Sequence, residues 1–326
     1  MRSVLLAPIL SFVTAFLLLA WMVKSPNAKL PLDHPNPRSL HDVPIPRTGG
    51  LGIMAGAFLG TAVAFPEGSE WWLPAVFLMA VSLFDDWRGL PVPVRFLAHL
   101  LAAVWFMLTS FPELGVFWTA FAVVAVMWMT NLYNFMDGSD GLAGGMAVFG
   151  FSFYGIAAWI SGNEIFALVN FSIAASALAF LLFNFHPARI FLGDAGSIPL
   201  GFLAAALGSM GWLQNDWPVW FPLLVFSPFI MDASVTLIKR ALKRKKIWQA
   251  HREHYYQRLV QIGWGHRKTA WIEYALMLAA GASALWAIRQ ESSLQFALLV
   301  CWGFFYLLAM IIFDRYWVSH QQNAST

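Results

Sequence analysis

The sequence contains little charge and almost no cysteine. Of its 326 residues, 11% are charged and 59% are hydrophobic, whereas a soluble globular domain carries roughly 25% charged residues. This composition excludes an ordinary soluble domain. The single cysteine, Cys301, excludes a disulfide framework and offers no cysteine cluster for a zinc site. Together with a mean hydropathy of +0.64, these features predict an all-α polytopic integral membrane protein.

The chain is rich in long apolar runs. A membrane-spanning helix needs about 20 apolar residues, and eleven runs approach this length. They cover residues 4–23, 48–66, 71–86, 95–111, 114–134, 142–161, 164–183, 196–213, 217–239, 270–289 and 293–313. We therefore predict a single transmembrane domain, residues 1–326, with about eleven helices and with its termini on opposite sides of the membrane.

Basic residues are distributed unevenly between the two sides of this topology. The positive-inside rule places Lys-rich and Arg-rich loops in the cytoplasm. With the N-terminus outside, the inside loops are 24–47, 87–94, 135–141, 184–195 and 240–269. With the adjoining helix ends and the C-terminal tail, they hold 18 of the 20 Lys and Arg residues. We therefore predict an external N-terminus and a cytoplasmic C-terminus.

Five aspartates fall on this same cytoplasmic side. They are Asp85, Asp86, Asp137, Asp140 and Asp194. Carboxylates are costly at or near a bilayer core, and they usually persist there because they bind an ion, a proton or a substrate. Their shared side predicts one polar face that acts on a cytosolic substrate.

An adjacent pair of carboxylates, Asp85 and Asp86, ends the third apolar run in the sequence L-F-D-D-W-R. Two neighbouring negative charges repel each other, so a metal ion, an arginine or a shared proton must offset the repulsion. The simpler alternative is a solvated helix end with Arg88 as the partner. Both interpretations stay open from the sequence.

A second acidic segment, N-L-Y-N-F-M-D-G-S-D-G-L, carries polar side chains at intervals of three residues. They are Asn131, Asn134, Asp137 and Asp140. On a helix, this spacing would form one slowly rotating stripe. Gly138 and Gly141 predict that the helix breaks after Asp137 and that the backbone approaches a ligand closely. Such oxygen ligands suit a hard cation with phosphate, whereas a capped helix end plus a turn would explain only part of the set.

The sequence F-L-G-D-A-G-S places Asp194 between Gly193 and Gly196, before another apolar run. Asp194 could cap the N-terminus of the next helix, a role that aspartate favours. A helix N-terminus with glycines and Ser197 is also a natural site for phosphate or another anion. The two roles are compatible.

Histidine and arginine are concentrated in the longest inside loop. Its segment H-R-E-H-Y-Y-Q-R-L contains His251, Arg252, His254 and Arg258. On a helix, the two histidines and Arg258 would share one face, where arginine could bind a diphosphate and histidine could carry a proton. The preceding basic run, residues 239–246, is explained by positive-inside anchoring and contact with anionic lipid.

The first inside loop, rich in proline and glycine, is predicted to be fixed and non-helical. Arg38, His41 and Arg47 lie in this loop. They could border a phosphate, or they could belong to a rigid connector that carries positive-inside charge.

Four motifs, in this order, resemble those of the polyprenyl-phosphate N-acetylhexosamine-1-phosphate transferases, of the glycosyltransferase family 4 type. They are P-x-P-R-T-G-G-L at 44–51, the Asp-Asp pair at 85–86, N-x-x-N-x-x-D-G-x-D-G-L at 131–142 and F-L-G-D-A-G-S at 191–197. The resemblance covers nearly the whole chain. In the His-containing loop, Tyr255, Tyr256 and Gln257 stand where the family has further histidines. This departure makes the chain more similar to the O-antigen-initiating branch than to the peptidoglycan phospho-MurNAc-pentapeptide translocase.

The resemblance implies a reaction, its substrates and its cofactor. N-acetylhexosamine-1-phosphate would pass from a UDP-N-acetylhexosamine to undecaprenyl phosphate, giving undecaprenyl-diphosphate-sugar and UMP, with Mg²⁺ or alternatively Mn²⁺ as the cofactor. The enzyme would span the bacterial inner membrane, with a periplasmic N-terminus and the active site on the cytoplasmic face. The lipid bilayer is its expected environment, and no nucleic-acid partner is expected. The oligomeric state is open, with a homodimer as one alternative.

The resemblance also implies roles for individual residues. The implied metal ligands are Asn134 and Asp194. The implied catalytic residues are Asp85, Asp86 and Asp137. The implied substrate-binding residues are Asn131, Asp140, Arg47, His251, Arg252 and His254. Asp140 would read the uridine or the sugar, and the Asp85–Asp86 pair would face the lipid phosphate. A direct attack by that phosphate and a phospho-sugar enzyme intermediate both stay open, and we favour the direct attack.

Two other classes of protein also carry apolar helices. An ion-coupled secondary transporter would have membrane carboxylates and broken helices, with its site near the bilayer midplane. Here the carboxylates are predicted at one interface, and a loop with histidine and arginine accompanies them. A structural membrane anchor would not need the set of aspartates. A lipid-modifying enzyme is therefore the first hypothesis.

Overall fold

The computed structural model describes residues 6–25, 31–33, 44–65, 71–247, 249 and 251–325. The described chain is almost entirely α-helical. The helices are α1 (Ala7–Lys24), α2 (Gly49–Ala64), α3 (Trp72–Arg88), α4 (Val92–Ser110), α5 (Val116–Phe135), α6 (Leu142–Ser161), α7 (Glu164–Asn184), α8 (Asp194–Leu213), α9 (Trp220–Val225), α10 (Ser227–Leu242), α11 (Tyr255–Leu259), α12 (Gly265–Ala287) and α13 (Ser292–Ser325). A π-helical turn, Val260–Trp264, joins α11 to α12. Two short strands, β1 (Leu32–Asp33) and β2 (Ile45–Pro46), pair antiparallel.

Every predicted span overlaps a helix, and the all-α polytopic fold is confirmed. Among the described residues, eight helices are long and apolar enough to cross a membrane: α1, α4 to α8, the stretch that contains α12, and α13. Helices α2 and α3 are shorter, with 16 and 17 residues. The count of eleven spans and the sides of the two termini stay predictions.

The ninth predicted span, 217–239, is wrong as a single helix. It divides into α9 and α10 at Phe226. Pro228, which follows the division, lies in the first turn of α10. Proline lacks an N–H group, and its ring clashes with the carbonyl four residues earlier, so it is tolerated at a helix start but not in a helix interior.

The centre of the bundle is formed by α6, α7 and α8. In the apolar stretch of α8, 72% of the residues are buried, compared with 6% in α13. Helix α6 packs on α7, α7 packs on α1 and α2, and α8 packs on α3 and α5. Helix α13 lies at the edge against α12, so most of its apolar surface is available to lipid.

From α1 to α8, successive helices run in opposite directions, so alternate helix ends meet at one end of the bundle. Gly49 N–H donates to the carbonyl oxygen of Phe191, and Gly50 N–H donates to that of Leu192, both at 2.9 Å. These bonds join the start of α2 to the segment before α8. At the same end, Arg47 reaches the last turn of α3 through Asp86. We call this end of the bundle the site end.

The crossing of α2 and α8 depends on two glycines. A Cβ atom added at Gly50 would overlap the backbone of Gly196. Gly50→Ala must therefore push the two helices apart, and overpacking of this kind costs about 1–3 kcal/mol. We expect a lower melting temperature for the purified variant in detergent.

Gly115→Ala is the matched control, because no atom lies within 4 Å of a Cβ added there. Equal melting temperatures for the two variants would contradict the close approach of α2 and α8.

Candidate active site

The Asp85–Asp86 pair lies in the last turn of α3, and each carboxylate has its own arginine. Arg95 Nη1 is 3.3 Å from Asp85 Oδ2, and Leu90 N–H donates to Asp85 Oδ1. Arg47 Nη2 is 3.4 Å from Asp86 Oδ1 and donates to the Asp86 main-chain oxygen at 3.2 Å. The repulsion within the pair is therefore offset by two arginines from other segments.

The neighbouring Arg88, which a solvated helix end would use as the partner, is exposed. The arginine that binds Asp85 is instead contributed by α4. From the sequence, Arg95 is only one of the 18 Lys and Arg residues predicted on the inside. Its position shortly after the Asp-Asp pair, in the first turns of the next helix, was the available signal.

Asp194 is the first residue of α8, and Gly193 occupies the N-cap position. Asn134, in the last turn of α5, donates from Nδ2 to Asp194 Oδ1 and to Ser197 Oγ, both at 2.9 Å. Arg95 Nη1 lies 4.0 Å from Asp194 Oδ2. Asp194 is thus held between α4 and α5, and Arg95 links it to the Asp85–Asp86 pair.

Asp137 lies just beyond α5, beside the start of α8. The helix ends at Phe135, two residues earlier than predicted, and Asp137 N–H closes a turn on the carbonyl oxygen of Asn134 at 3.1 Å. The Gly193 N–H donates to the Asp137 carboxylate. Burial first, and then the negative charge of Asp194, raise the pKa of Asp137 to about 8.

The donor set at this point fits a magnesium ion with few protein ligands. Among the residues that the structure describes, no group of three or more His, Cys, Asp or Glu side chains is arranged to hold a metal. Mg²⁺, however, usually takes one or two carboxylates and completes its shell with water and substrate phosphates. Asp137 and Asp194 repel each other, and a cation between them would relieve that repulsion. The second oxygen-bearing group is the amide of Asn134, whose nitrogen faces Asp194 and whose oxygen could bind the ion.

Asp140 contacts two histidines that the motifs do not include. His186 contacts its carboxylate, and the Asp140 main-chain N–H donates to His266 Nδ1 at 3.3 Å. His186 Nδ1 is 2.7 Å from Asp140 Oδ2, and His266 Nδ1 is 3.9 Å from Asp140 Oδ1. Ala188 N–H also donates to Asp140, at 3.1 Å. The two imidazole rings are stacked, with centroids 5.5 Å apart. His186 follows α7 and His266 begins α12, so only the folded chain brings them to Asp140.

Asn131 lies one helical turn before Asn134 on α5. Its Nδ2 atom donates to the main-chain oxygen of Met127 at 2.7 Å. The amide nitrogen therefore bonds within its own helix, and the side chain also bonds to His99 of α4. Its role in binding substrate stays a prediction.

The His-containing loop approaches the site end, but its conformation differs from the predicted helix. Helix α11 begins only at Tyr255, with His254 as its N-cap, so His251, His254 and Arg258 do not share one helical face. Arg258 Nη1 instead pairs with Asp314 of α13, at 3.0 Å. Arg252 is half-buried in the non-helical segment before α11.

His251 lies beside His254, with ring centroids 4.8 Å apart. Burial first, and then the neighbouring His254 and Arg240, lower the pKa of His251 to about 4. His251 is therefore neutral near pH 7 and offers hydrogen bonds rather than a positive charge. Arg38 and His41, the other predicted phosphate neighbours, lie outside the described residues.

The comparisons with known proteins point to one family. The family model for glycosyl transferase family 4 matches residues 70–211, the stretch that carries all five aspartates. A probable undecaprenyl-phosphate N-acetylglucosaminyl 1-phosphate transferase from Bacillus subtilis (strain 168) is 30% identical over 308 residues, covering 87% of this chain and 85% of the relative.

Two further relatives extend this similarity. A decaprenyl-phosphate N-acetylglucosaminephosphotransferase from Mycobacterium tuberculosis (strain ATCC 25618 / H37Rv) is 26% identical, covering 85% of this chain and 82% of the relative. A phospho-N-acetylmuramoyl-pentapeptide-transferase from Staphylococcus saprophyticus is 27% identical, covering 74% and 84%. With the motifs gathered at the site end, these matches show that the chain belongs to glycosyl transferase family 4, among the polyprenyl-phosphate N-acetylhexosamine-1-phosphate transferases.

Proposed function

We propose that this chain transfers N-acetylhexosamine-1-phosphate from a UDP-sugar to undecaprenyl phosphate, and that the product initiates a cell-surface polysaccharide of the O-antigen type. The observation that carries this proposal is the continuous set of contacts at the site end. Arg95 joins Asp85 to Asp194, Asn134 holds Asp194, and Asp137 lies against Gly193. Four helix ends, those of α3, α4, α5 and α8, and the turn after α5 thus build one charged site.

The charges of this site suit two anionic substrates. The donor diphosphate and the acceptor phosphate repel each other, so the site must supply positive charge. Arg47 and Arg95 provide two cations, each already oriented by a carboxylate of the Asp85–Asp86 pair. When bound, Mg²⁺ would neutralise the donor diphosphate, with Asp194 and Asn134 as the proposed ligands and Asp137 beside them.

The proposed chemistry is a direct in-line attack. An oxygen of the lipid phosphate forms a bond to the β-phosphorus of the donor. The bond between that phosphorus and the bridging oxygen breaks, and UMP leaves with the electron pair. A phosphate monoester has a second pKa of about 6, so the attacking group is mostly dianionic at pH 7 and needs no strong base. Asp85 and Asp86 then act by holding their arginines against the lipid phosphate.

The proposed location is the bacterial inner membrane, with the site end facing the cytoplasm. The asymmetry of Lys and Arg supports this orientation. The carboxylates lie at helix ends rather than midway along the bundle, which favours chemistry at an interface over the midplane site of a secondary transporter.

A reconstituted transfer assay tests the proposal. Purified protein is incubated with Mg²⁺, undecaprenyl phosphate and a panel of labelled UDP-N-acetylhexosamines, and both UMP and lipid-linked sugar are measured. We expect equimolar UMP and lipid product with at least one donor. If no donor in the panel gives either product, the proposed function is wrong.

An incubation without undecaprenyl phosphate separates the two routes of transfer. Direct attack predicts that no sugar phosphate becomes attached to the protein. A covalent sugar phosphate trapped on an aspartate would establish the two-step route instead.

A further inference from the structure

Asp232, on α10, is a buried carboxylate that the proposed reaction has not used. It is 4% exposed. Its Oδ1 atom accepts the Tyr255 N–H at 2.8 Å, and its Oδ2 atom accepts the Tyr256 N–H at 2.9 Å. One carboxylate from α10 therefore satisfies two main-chain N–H groups in the first turn of α11, where a negative charge is also favoured by the helix dipole.

The same carboxylate determines which ring nitrogen of His254 carries hydrogen. His254 Nδ1 is 3.3 Å from Asp232 Oδ1. Both Asp232 oxygens accept main-chain N–H groups, so an acceptor faces Nδ1. The Gln257 N–H also faces the His254 side chain but makes no cap hydrogen bond to it. We therefore assign Nδ1 as the donor. Neutral His254 then has its lone pair on Nε2. A carboxylate that fixes the tautomer and orientation of a functional histidine is a recurrent arrangement in protein sites.

The ring of His254 is also packed against two aromatic rings. It is stacked on Phe135, with centroids 6.3 Å apart, and on Tyr256, with centroids 5.9 Å apart. The residue is 3% exposed. Orientation and tautomer are therefore both fixed by the surrounding protein.

A second set of contacts runs from α11 to the acidic segment of the site. Tyr256 Oη donates to the main-chain oxygen of Phe135 at 3.1 Å. Gly138 lies against the same hydroxyl, which a Cβ atom at that position would overlap. Asp232 thus fixes Tyr256, and Tyr256 contacts the backbone on both sides of Asp137.

We propose that Asp232 is a positioning residue for the transfer reaction: it fixes His254 in the tautomer with a hydrogen on Nδ1 and, through Tyr256, holds the backbone that carries Asp137. This inference rests on the proposed function for its effect on turnover. The tautomer itself can be measured without any substrate.

The first test observes the tautomer. In protein labelled with ¹⁵N-histidine, the His254 signals are assigned by their loss in His254→Asn, and their shifts distinguish a hydrogen on Nδ1 from one on Nε2. We expect the Nδ1–H form in the wild-type protein and a shift toward the Nε2–H form in Asp232→Asn. An Nε2–H form in the wild-type protein would overturn the inference. An Nδ1–H form in a protein without transfer activity would refute the proposed function alone.

The second test uses turnover. Loss of such an orienting partner typically lowers activity about 10–100-fold, so Asp232→Asn should lower kcat by this factor, with KM values changed less than about threefold. The control is Thr236→Val, because Thr236 donates to the same carboxylate at 3.2 Å but lies on α10 itself. We expect this variant to retain wild-type kcat.

A double-mutant cycle decides whether Asp232 acts through His254. In His254→Asn, the amide can still donate to Asp232, so α11 stays in place while the second ring nitrogen is lost. Asp232→Asn should lower kcat much less in the His254→Asn background than in the wild-type background. An equal loss in both backgrounds, or an unchanged kcat in Asp232→Asn, contradicts the proposed role. Melting temperatures of all four proteins separate these results from misfolding.

Discussion

Asp194→Asn is expected to lower transfer activity by about 10²–10³-fold or more, the loss typical of removing a preorganised electrostatic group from an active site. The variant keeps the shape of the side chain, and its amide oxygen can still accept from Asn134 Nδ2, which contacts Asp194 at 2.9 Å. The change therefore removes one negative charge with little effect on packing. Turnover of labelled donor in the reconstituted assay gives the result.

A matched acid-to-amide control separates this loss from a general effect of charge. Glu164→Gln lies at the start of α7 and is exposed, at the end of the bundle opposite the site end. We expect it to retain activity. Substantial turnover in Asp194→Asn, or an equal loss in Glu164→Gln, would remove Asp194 from the proposed metal site.

The same variant offers a test of metal binding that does not depend on turnover. Mg²⁺ should raise the melting temperature of the wild-type protein, because a ligand that binds only the folded state stabilises it. Asp194→Asn should lose this stabilisation. It should also be about as stable as the wild type without metal, since the amide keeps the shape of the side chain and can still accept from Asn134 Nδ2.

The gathering of the aspartates could be predicted because it depends on the lengths of the apolar runs. Each run is close to one membrane thickness, so successive helices must alternate in direction. Asp86 lies at the end of the third run, and Asp140 and Asp194 lie just before the sixth and the eighth. Alternating helix directions place all three on the same side of the membrane. The structure brings them to one end of the bundle through the contacts of Arg47, His186 and Arg95. The lengths of the apolar runs and the positions of the aspartates within them were enough to predict this shared end.

The partners of the aspartates could not be predicted, because they come from distant segments. The nearest cation in sequence to the Asp85–Asp86 pair is Arg88, yet the bound cations are Arg47 and Arg95. Asp232 lies in an apolar run with no motif around it. Its structural role appears only when α11 folds back onto α10, since the two main-chain N–H groups that donate to it lie more than 20 residues further along the chain.

The conformation of the His-containing loop was also decided by tertiary contacts. Periodicity favoured one helix through His251 and Arg258. The structure begins the helix at Tyr255, because the Asp232 carboxylate satisfies its first N–H groups. Arg258 is then directed to Asp314 on α13. A diphosphate clamp built from this arginine would first have to break that ion pair.

Arg95→Gln is expected to lower kcat/KM for undecaprenyl phosphate by about 10–150-fold, which corresponds to the roughly 1.5–3 kcal/mol of a hydrogen bond to a charged group. Arg95 is the one described cation within 4.0 Å of both Asp85 and Asp194. Without it, the incoming phosphate would meet these two carboxylates with less opposing charge, so KM should rise as well as kcat fall. Initial rates in mixed micelles, at varied lipid concentration, measure both effects.

Arg88→Gln is the control that decides between a local contact and net charge. Arg88 is exposed, lies on the last turn of α3 beside the same two aspartates, and loses the same charge when replaced. We expect less than about a twofold change, in line with the small contribution of exposed ion pairs. If Arg88→Gln lowered kcat/KM as much as Arg95→Gln, Arg95 would act only through the overall electrostatic potential of the site end. Arg95→Lys completes the series: it keeps the charge but loses the planar group that can contact two carboxylates at once, so it should recover only part of the activity.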